Sequence, residues 1–248
     1  MATIQCAAAQ FSGIQAILFD KDGTLADSRD YLQNLGRKRA RLIDAQIPGV
    51  QDPLLMAFGL EGDRLNPAGL LSVGTRRENE IAAAAYVAET GRDWLEALAI
   101  VRSAFTEAGR VLNHKADLTP LFPGVRELLQ QISTAGISLG IVSSDTNDNV
   151  RDFIDRQDLW ALVQFHLGTD DRPGKPDPVL LLEACEALGV SPEATLVIGD
   201  STADIELAIA AQAAGSIGVT WGGANHQTLR QAGAIAHQVK DIQILTDL

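Results

Sequence analysis

Asp20 and Asp22 stand two positions apart in Asp20-Lys21-Asp22-Gly23-Thr24, directly behind the apolar run Ile14–Phe19. Alternate side chains of an extended segment share a face, and Gly23 lets the chain turn away at once. Both carboxylates are therefore expected at the carboxyl end of a buried strand, where open α/β sheets bind ligands. Two like charges so close resist ionisation unless a cation or a shared proton compensates. The pair points to a metal site or an acid/base dyad; an isolated Asp-Gly would be only a turn signal.

Three downstream segments argue for more than a turn. Leu196–Gly199 is a second apolar run that ends in acid, Asp200-Ser201-Thr202-Ala203-Asp204. Ile137–Val142 runs into Ser143-Ser144, and a lysine lies in Gly174-Lys175-Pro176-Asp177-Pro178. In that order the four segments resemble the haloacid dehalogenase superfamily of phosphohydrolases and phosphotransferases. The resemblance covers the chain up to Ser28 and nearly everything from Leu121 onward. It implies Asp20 as nucleophile, Asp22 as general acid/base, and Ser143 as a hydrogen-bond donor to the phosphate, with Ser144 beside it on the substrate side. It also implies Lys175 as the neutralising lysine and Asp200 as a Mg2+ ligand, with Asp204 beside it at the metal. Lys21 replaces a residue that is apolar in many members, and its side chain is expected to point away from both acids.

The chemistry fits these residue types. A phosphomonoester repels nucleophiles through its own charge, and its uncatalysed hydrolysis is slow enough to need acceleration of up to about 10²¹-fold. Positioning and charge neutralisation must supply most of that. Magnesium takes oxygen ligands in octahedral geometry, and Asp20, the backbone carbonyl of Asp22 and Asp200 offer three. Asp20 would form an aspartyl-phosphate; Asp22 would protonate the leaving alkoxide and then deprotonate the attacking water. Displacement of halide needs no such acid, so Asp22 favours phosphate chemistry. Asp145 is expected to cap the helix that begins near Asn147.

Apolar runs and helical patterns alternate after Leu121: Val125–Ala135 helix, Ile137–Val142 strand, Asn147–Gln157 helix, Val163–His166 strand, Asp177–Leu188 helix, Thr195–Gly199 strand, Thr202–Ala213 helix, Ser216–Val219 strand. That rhythm predicts an α/β fold, a Rossmann-like parallel sheet covered on both faces. Residues 27–115 break it with helical stretches only, Arg29–Ala45, Thr75–Thr90 and Asp93–Leu112. They are expected to form an all-helical cap domain inserted into a core of residues 1–26 and 116–248. Thr75 with Glu78, and Asp93 with Glu96, have the spacing of reciprocal helix caps. A cap closes over the phosphate and selects the alcohol. Leu70–Arg77 is its expected substrate-facing segment, with Arg76 and Arg77 as substrate-binding residues; Met56, Phe58, Trp94 and Phe105 are expected in its core.

A net charge of −12 argues against nucleic acid as a partner, whose binding rests on basic surfaces. The same charge obliges the site to create local positive charge for an anionic substrate. Cys6 and Cys185 are isolated thiols, which suits a reducing compartment. No apolar stretch has membrane length, so a cytoplasmic protein without a membrane partner is expected.

Among family members with helical caps the pattern is similar to the phosphoglycolate phosphatases, in Phe19–Leu25, Phe122–Val125 and Gly218–Gly222. The resemblance implies a Mg2+-dependent phosphatase for a small phosphorylated metabolite, led by 2-phosphoglycolate. Pyrophosphatase, nucleotidase and sugar-phosphate phosphatase or phosphomutase activities share the same residues. A non-catalytic cation-binding loop fits poorly: its glycine would come at the fourth position instead of the sixth, and Tyr31 fills the twelfth, where a bidentate Glu belongs.

Overall fold

The computed structural model describes residues 2–112, 115–170 and 172–246. The chain opens with the hairpin β1 (Ala2–Cys6) and β2 (Ala9–Ile14), then enters β3 (Ala16–Phe19). Next come α1 (Arg29–Asp44), α2 (Gln51–Phe58), a hairpin of β4 (Leu60–Glu61) and β5 (Arg64–Leu65), α3 (Leu70–Val73), α4 (Arg76–Glu89) and α5 (Trp94–Val111). The remainder alternates: α6 (Val125–Thr134), β6 (Ser138–Val142), α7 (Asn147–Arg156), β7 (Phe165–Leu167), α8 (Val179–Leu188), β8 (Thr195–Gly199), α9 (Thr202–Ala210) and β9 (Gly215–Val219). Two short strands close it, β10 (Ala234–Ala236) and β11 (Ile242–Thr246).

Six strands form one sheet in the order β10-β9-β8-β3-β6-β7, and every pairing in it is parallel. β3 is central because all four of its residues, Ala-Ile-Leu-Phe, are buried, and a strand covered on both faces reads as a continuous apolar run. Phe19 lies opposite Ile141 of β6 and Ile198 of β8. That register makes the loops after these three strands leave the same edge of the sheet. Ile17, Phe19, Ile141 and Ile198 belong to the core on one face with α6 and α7, while Leu18, Val142 and Val197 pack with α8 and α9 on the other. A separate apolar cluster fills the helical region, built from Ala40, Ile43, Leu54, Phe58, Val87, Val101 and Phe105 among others.

Several expectations are corrected. The inserted region is not purely helical, because Gly62 at φ +57° allows a tight turn between β4 and β5. Residues that short and mixed carry no periodicity from which a strand can be read. α2 has no counterpart in the sequence reading either. Phe58 and Phe105 are buried, but Met56 is 76% exposed and Trp94 45%; Trp94 opens α5, where the helix has not yet met its neighbours. Thr75 and Glu78 form the expected reciprocal cap. Asp93 makes no side-chain cap to α5, and Glu96 is paired with Arg92 at 2.6 Å. The Val163–His166 strand starts later, at Phe165, and β1, β2 and β11 form an antiparallel sheet that the alternating pattern does not announce.

Candidate active site

Asp20 follows β3, and its backbone N–H donates to the Ile198 carbonyl at 2.9 Å, which carries the parallel ladder one step beyond the strand. Ser143 follows β6 in the same way, donating to the Leu167 carbonyl at 2.9 Å. Asp200 leaves β8 beside them. Gly23 makes this closeness possible: at φ +86° a Cβ on it would stand 2.1 Å from Asp200 Oδ2, so no other residue fits without displacing the acid. Gly199 plays the same part for Asp204, whose Cγ would lie 2.3 Å from an added Cβ.

α9 begins with a reciprocal cap in which the Ser201 hydroxyl accepts from the Asp204 N–H and Asp204 Oδ2 accepts from the Ser201 N–H. The Ser201 hydroxyl also lies 2.6 Å from Oδ2. This fixes Asp204 and leaves its Oδ1 to Lys175, whose Nζ is 2.6 Å from it and 2.5 Å from Asp20 Oδ1. Asp20, Asp200 and Asp204 can each bring a carboxylate oxygen within 4.8 Å of the other two.

Three carboxylates around one ammonium leave negative charge uncompensated. Burial pushes Asp20 up to about 6, with Asp204 and Asp22 adding to the rise and Lys175 opposing it. Burial, Asp20 and Asp204 hold Asp200 well above the usual carboxylate range. For Lys175, burial disfavours the charge, but Asp20 and Asp204 outweigh it and raise the pKa. All-oxygen donors carrying surplus negative charge suit a hard divalent cation. The three acids therefore fit a magnesium ion on donor chemistry and spacing.

Asp22 does not join that cluster by its side chain. β3 ends at Phe19, and the Lys21 carbonyl accepts from the Leu25 and Ala26 N–H groups at 2.9 Å, so a turn has replaced the extended backbone on which the alternation argument depends. As a result Lys21 does not point away. Its Nζ is fully buried, 2.6 Å from Asp22 Oδ2 and 3.1 Å from Asp145 Oδ2. Lys115 completes a quartet at 2.9 Å from Asp22 Oδ2 and 2.6 Å from Asp145 Oδ2. Burial raises the Asp22 pKa, but Lys115 and Lys21 overcome it and hold the carboxyl below its usual range. Asp22 Oδ1 is buried with no hydrogen-bond partner among the described residues. The acid is thus anchored by one oxygen and unengaged at the other.

Asp145 is not the cap of α7. Thr146 is, its hydroxyl accepting from the Asn149 N–H, while the Asp145 carboxylate serves Lys115, Lys21 and the Asn149 amide. Ser143 is 1% exposed, and its Oγ accepts from the Asp145 N–H at 3.2 Å. Ser144 and Arg76 line the same cleft as Asp22 and Lys115. Arg76 is held by Glu80 at 2.8 Å and reaches the Thr106 hydroxyl. Arg77 is exposed and lines none of the clefts that Asp22 or Asp200 borders. Lys115 and Asp145 escape sequence reasoning because a lone lysine after a helix, and an acid at a helix start, each have a commonplace explanation. Only the fold brings them together.

Residues 14–212 match the family model of haloacid dehalogenase-like hydrolases. The chain is 30% identical to a phosphoglycolate phosphatase of Pseudomonas putida over 210 residues, which is 83% of this chain and 69% of that protein. Two further Pseudomonas relatives of similar name are matched over 42% and 65% of their own lengths. The fold is similar to that of a predicted phosphoglycolate phosphatase from Haemophilus somnus, with TM-score 0.68 and 21% identity, covering 93% of this chain and 96% of that one. It is also similar to that of a putative beta-phosphoglucomutase from Thermotoga maritima, with TM-score 0.60 and 24% identity over 90% and 94%.

Proposed function

Because the chain belongs to the haloacid dehalogenase-like hydrolases, we propose that it is a magnesium-dependent phosphatase acting on a small phosphomonoester through an aspartyl-phosphate on Asp20, with 2-phosphoglycolate the leading substrate. The observation that carries this reading is the pair of unequal carboxylates after β3. Asp20 is bound to Lys175 and shares a possible cation with Asp200 and Asp204, while Asp22 is set apart on two lysines with Oδ1 unengaged. On this reading one acid serves as the nucleophile and the other moves a proton.

A magnesium ion held by Asp20, Asp200, Asp204 and the Asp22 carbonyl would supply positive charge at the transferring phosphoryl group and orient it. Lys175, already 2.5 Å from Asp20, adds a point charge to the phosphoryl oxygens and holds Asp20 in one rotamer. The Ser143 hydroxyl and nearby backbone N–H groups bind the equatorial oxygens. Asp22, which borders the cleft, meets the leaving alkoxide, and later the attacking water, once its side chain turns Oδ1 out of its buried place. The two ammonium groups keep Asp22 ionised, which suits the second half-reaction, in which it takes a proton from water. In the first half-reaction Oδ1 must collect a proton before it can donate one, and a phosphomonoester with a second pKa of about 6 can bring it.

Residues 27–115 serve in this reading as a cap, with Ser72 and Arg76 lining the cleft that Asp22 borders. Buried free thiols at Cys6 and Cys185 suit work in a reducing cytoplasm, and no described helix is long and apolar enough to cross a membrane. The fold shared with a phosphoglucomutase gives a second reading, transfer of the phosphoryl group to another hydroxyl by the same residues. Phosphate release from 2-phosphoglycolate with and without Mg2+ tests the proposal. Release that depends on the metal supports it; conversion of a sugar phosphate to an isomer without free phosphate favours the mutase, and no reaction on any phosphoester removes both.

A further inference from the structure

Arg39 lies on α1 with 9% of its surface exposed. Its Nε is buried without a hydrogen-bond partner among the described residues. The guanidinium is stacked instead on the Phe105 ring, 4.0 Å from the centroid. Burial, with Arg76 adding to it, pushes the Arg39 pKa down to about 10. The neighbouring cations are engaged: Arg76 on Glu80, Lys115 on Asp22 and Asp145. A buried charge without a polar partner is costly, and apolar packing of the helical region would be met equally well by a leucine or methionine.

The place of this cation matters. Arg39 lines a small cleft together with Asp22, Ser72, Arg76, Lys115 and Ser144. On the reading of Asp22 as the group that meets the leaving oxygen, this cleft receives the alcohol half of the substrate. A planar guanidinium, pre-oriented on an aromatic face, matches the two oxygens of a carboxylate or the edge of a phosphate. We propose that Arg39 binds a second anionic group on the alcohol half and so selects small phosphomonoesters that carry one. Because Arg39 and Asp22 border the same small cleft, that group lies close to the ester oxygen. Stacking on Phe105 costs the ligand nothing on binding, since it already orders the side chain.

Three esters separate the possibilities: 2-phosphoglycolate with a carboxylate, ethylene glycol bisphosphate with a second phosphate, and 2-hydroxyethyl phosphate with a neutral alcohol. The wild type should prefer one of the two anionic esters to the neutral one by about 30-fold or more in kcat/KM, the effect of a charged hydrogen bond. Which of the two it prefers identifies the anion. Arg39→Met should reduce that ratio to near unity, chiefly through KM. Arg39→Lys should recover only part of it, because a point charge lacks the fork. A wild type indifferent to the second anion overturns the proposal, as does an Arg39→Met variant that keeps the ratio. If the methionine variant does not fold, the wild-type ratio and the lysine variant decide. Aryl phosphate hydrolysis reports separately on the phosphatase reading. Should no ester react, glycolate ought still to raise the Tm of the wild type more than that of Arg39→Lys; equal shifts reject the anion site.

Discussion

Lys115 Nζ stands 2.9 Å from Asp22 Oδ2, although 93 positions separate them. The lysine sits where the chain returns from α5 to the sheet, and its ammonium, 10% exposed, also binds Asp145. The second connection of the helical region therefore ends directly on the acid proposed to handle protons.

Replacement of Lys115 by methionine should loosen the hold on Asp22, leaving Lys21 as the one ammonium on its Oδ2. Since general acid–base catalysis contributes about 10²–10⁴-fold, kcat for a phosphate ester of a simple alcohol should fall by about that factor at its lower end. An aryl phosphate, whose leaving group departs without a proton, should lose far less. Steady-state kinetics on the two esters check this, and equal losses on both would mean that Lys115 acts on folding or binding instead.

Asp20→Asn keeps the shape of the side chain and removes the nucleophilic charge. Turnover should fall by at least about 10⁴-fold, as for other nucleophile losses. The Tm should stay close to the wild-type value or rise, because a carboxylate crowded by Asp204 and Asp22 has been relieved. Calorimetric titration with Mg2+ should show weakened binding, since one of three clustered acids is gone. Residual activity within tenfold of the wild type would exclude Asp20 as the nucleophile.

The clash built into Gly23 makes another test. Gly23→Ala places a Cβ 2.1 Å from Asp200 Oδ2 at φ +86°, so either the turn or the carboxylate moves. Misplacement of about 1 Å in a catalytic constellation costs about 10²-fold, and positive φ costs a non-glycine residue about 1–3 kcal/mol. Denaturation and kinetics together should record both losses. A variant with normal kcat would show that Asp200 need not stand where it does.

Asp145 supplies a pH dependence of stability. Burial opposes its ionisation, but Lys115 and Lys21 overcome this and hold its pKa far below the usual value. A depressed carboxyl stabilises the folded state at pH above its unfolded pKa of about 3.9, and that contribution is lost progressively as pH falls below it. Breaking a buried pair costs about 3–5 kcal/mol, so Asp145→Asn should be destabilised by about that much near pH 7. Its stability should then decline less steeply than the wild type's between about pH 5 and pH 2. Urea titrations across that range give both slopes; parallel slopes would show that the quartet is not the acid-sensitive element.

The parts of this molecule that were legible in the sequence are those where one local rule decides. β3 could be read because four consecutive apolar residues buried on both faces admit few alternatives, and β8 for the same reason. Thr75 and Glu78 could be read because a reciprocal cap has fixed spacing. Lys21 could not: the alternation of side chains holds only while the backbone stays extended, and the turn that delivers Asp22 also swings Lys21 inward. Lys115, Asp145 and Arg39 lay outside local reading altogether. Their significance comes from partners, or a lack of partners, supplied by segments distant in the chain. Met56 and Trp94 fail for a simpler reason, since a large apolar residue near a helix end can face water without penalty to the core.

The apolar cluster of the helices between Ala40 and Phe105 is distinct from those that bury the two faces of the sheet. Substitutions in one interior need no compensating change in the other. On the proposed reading, the helical side of the cleft that receives the alcohol can therefore change while the cluster of acids stays untouched.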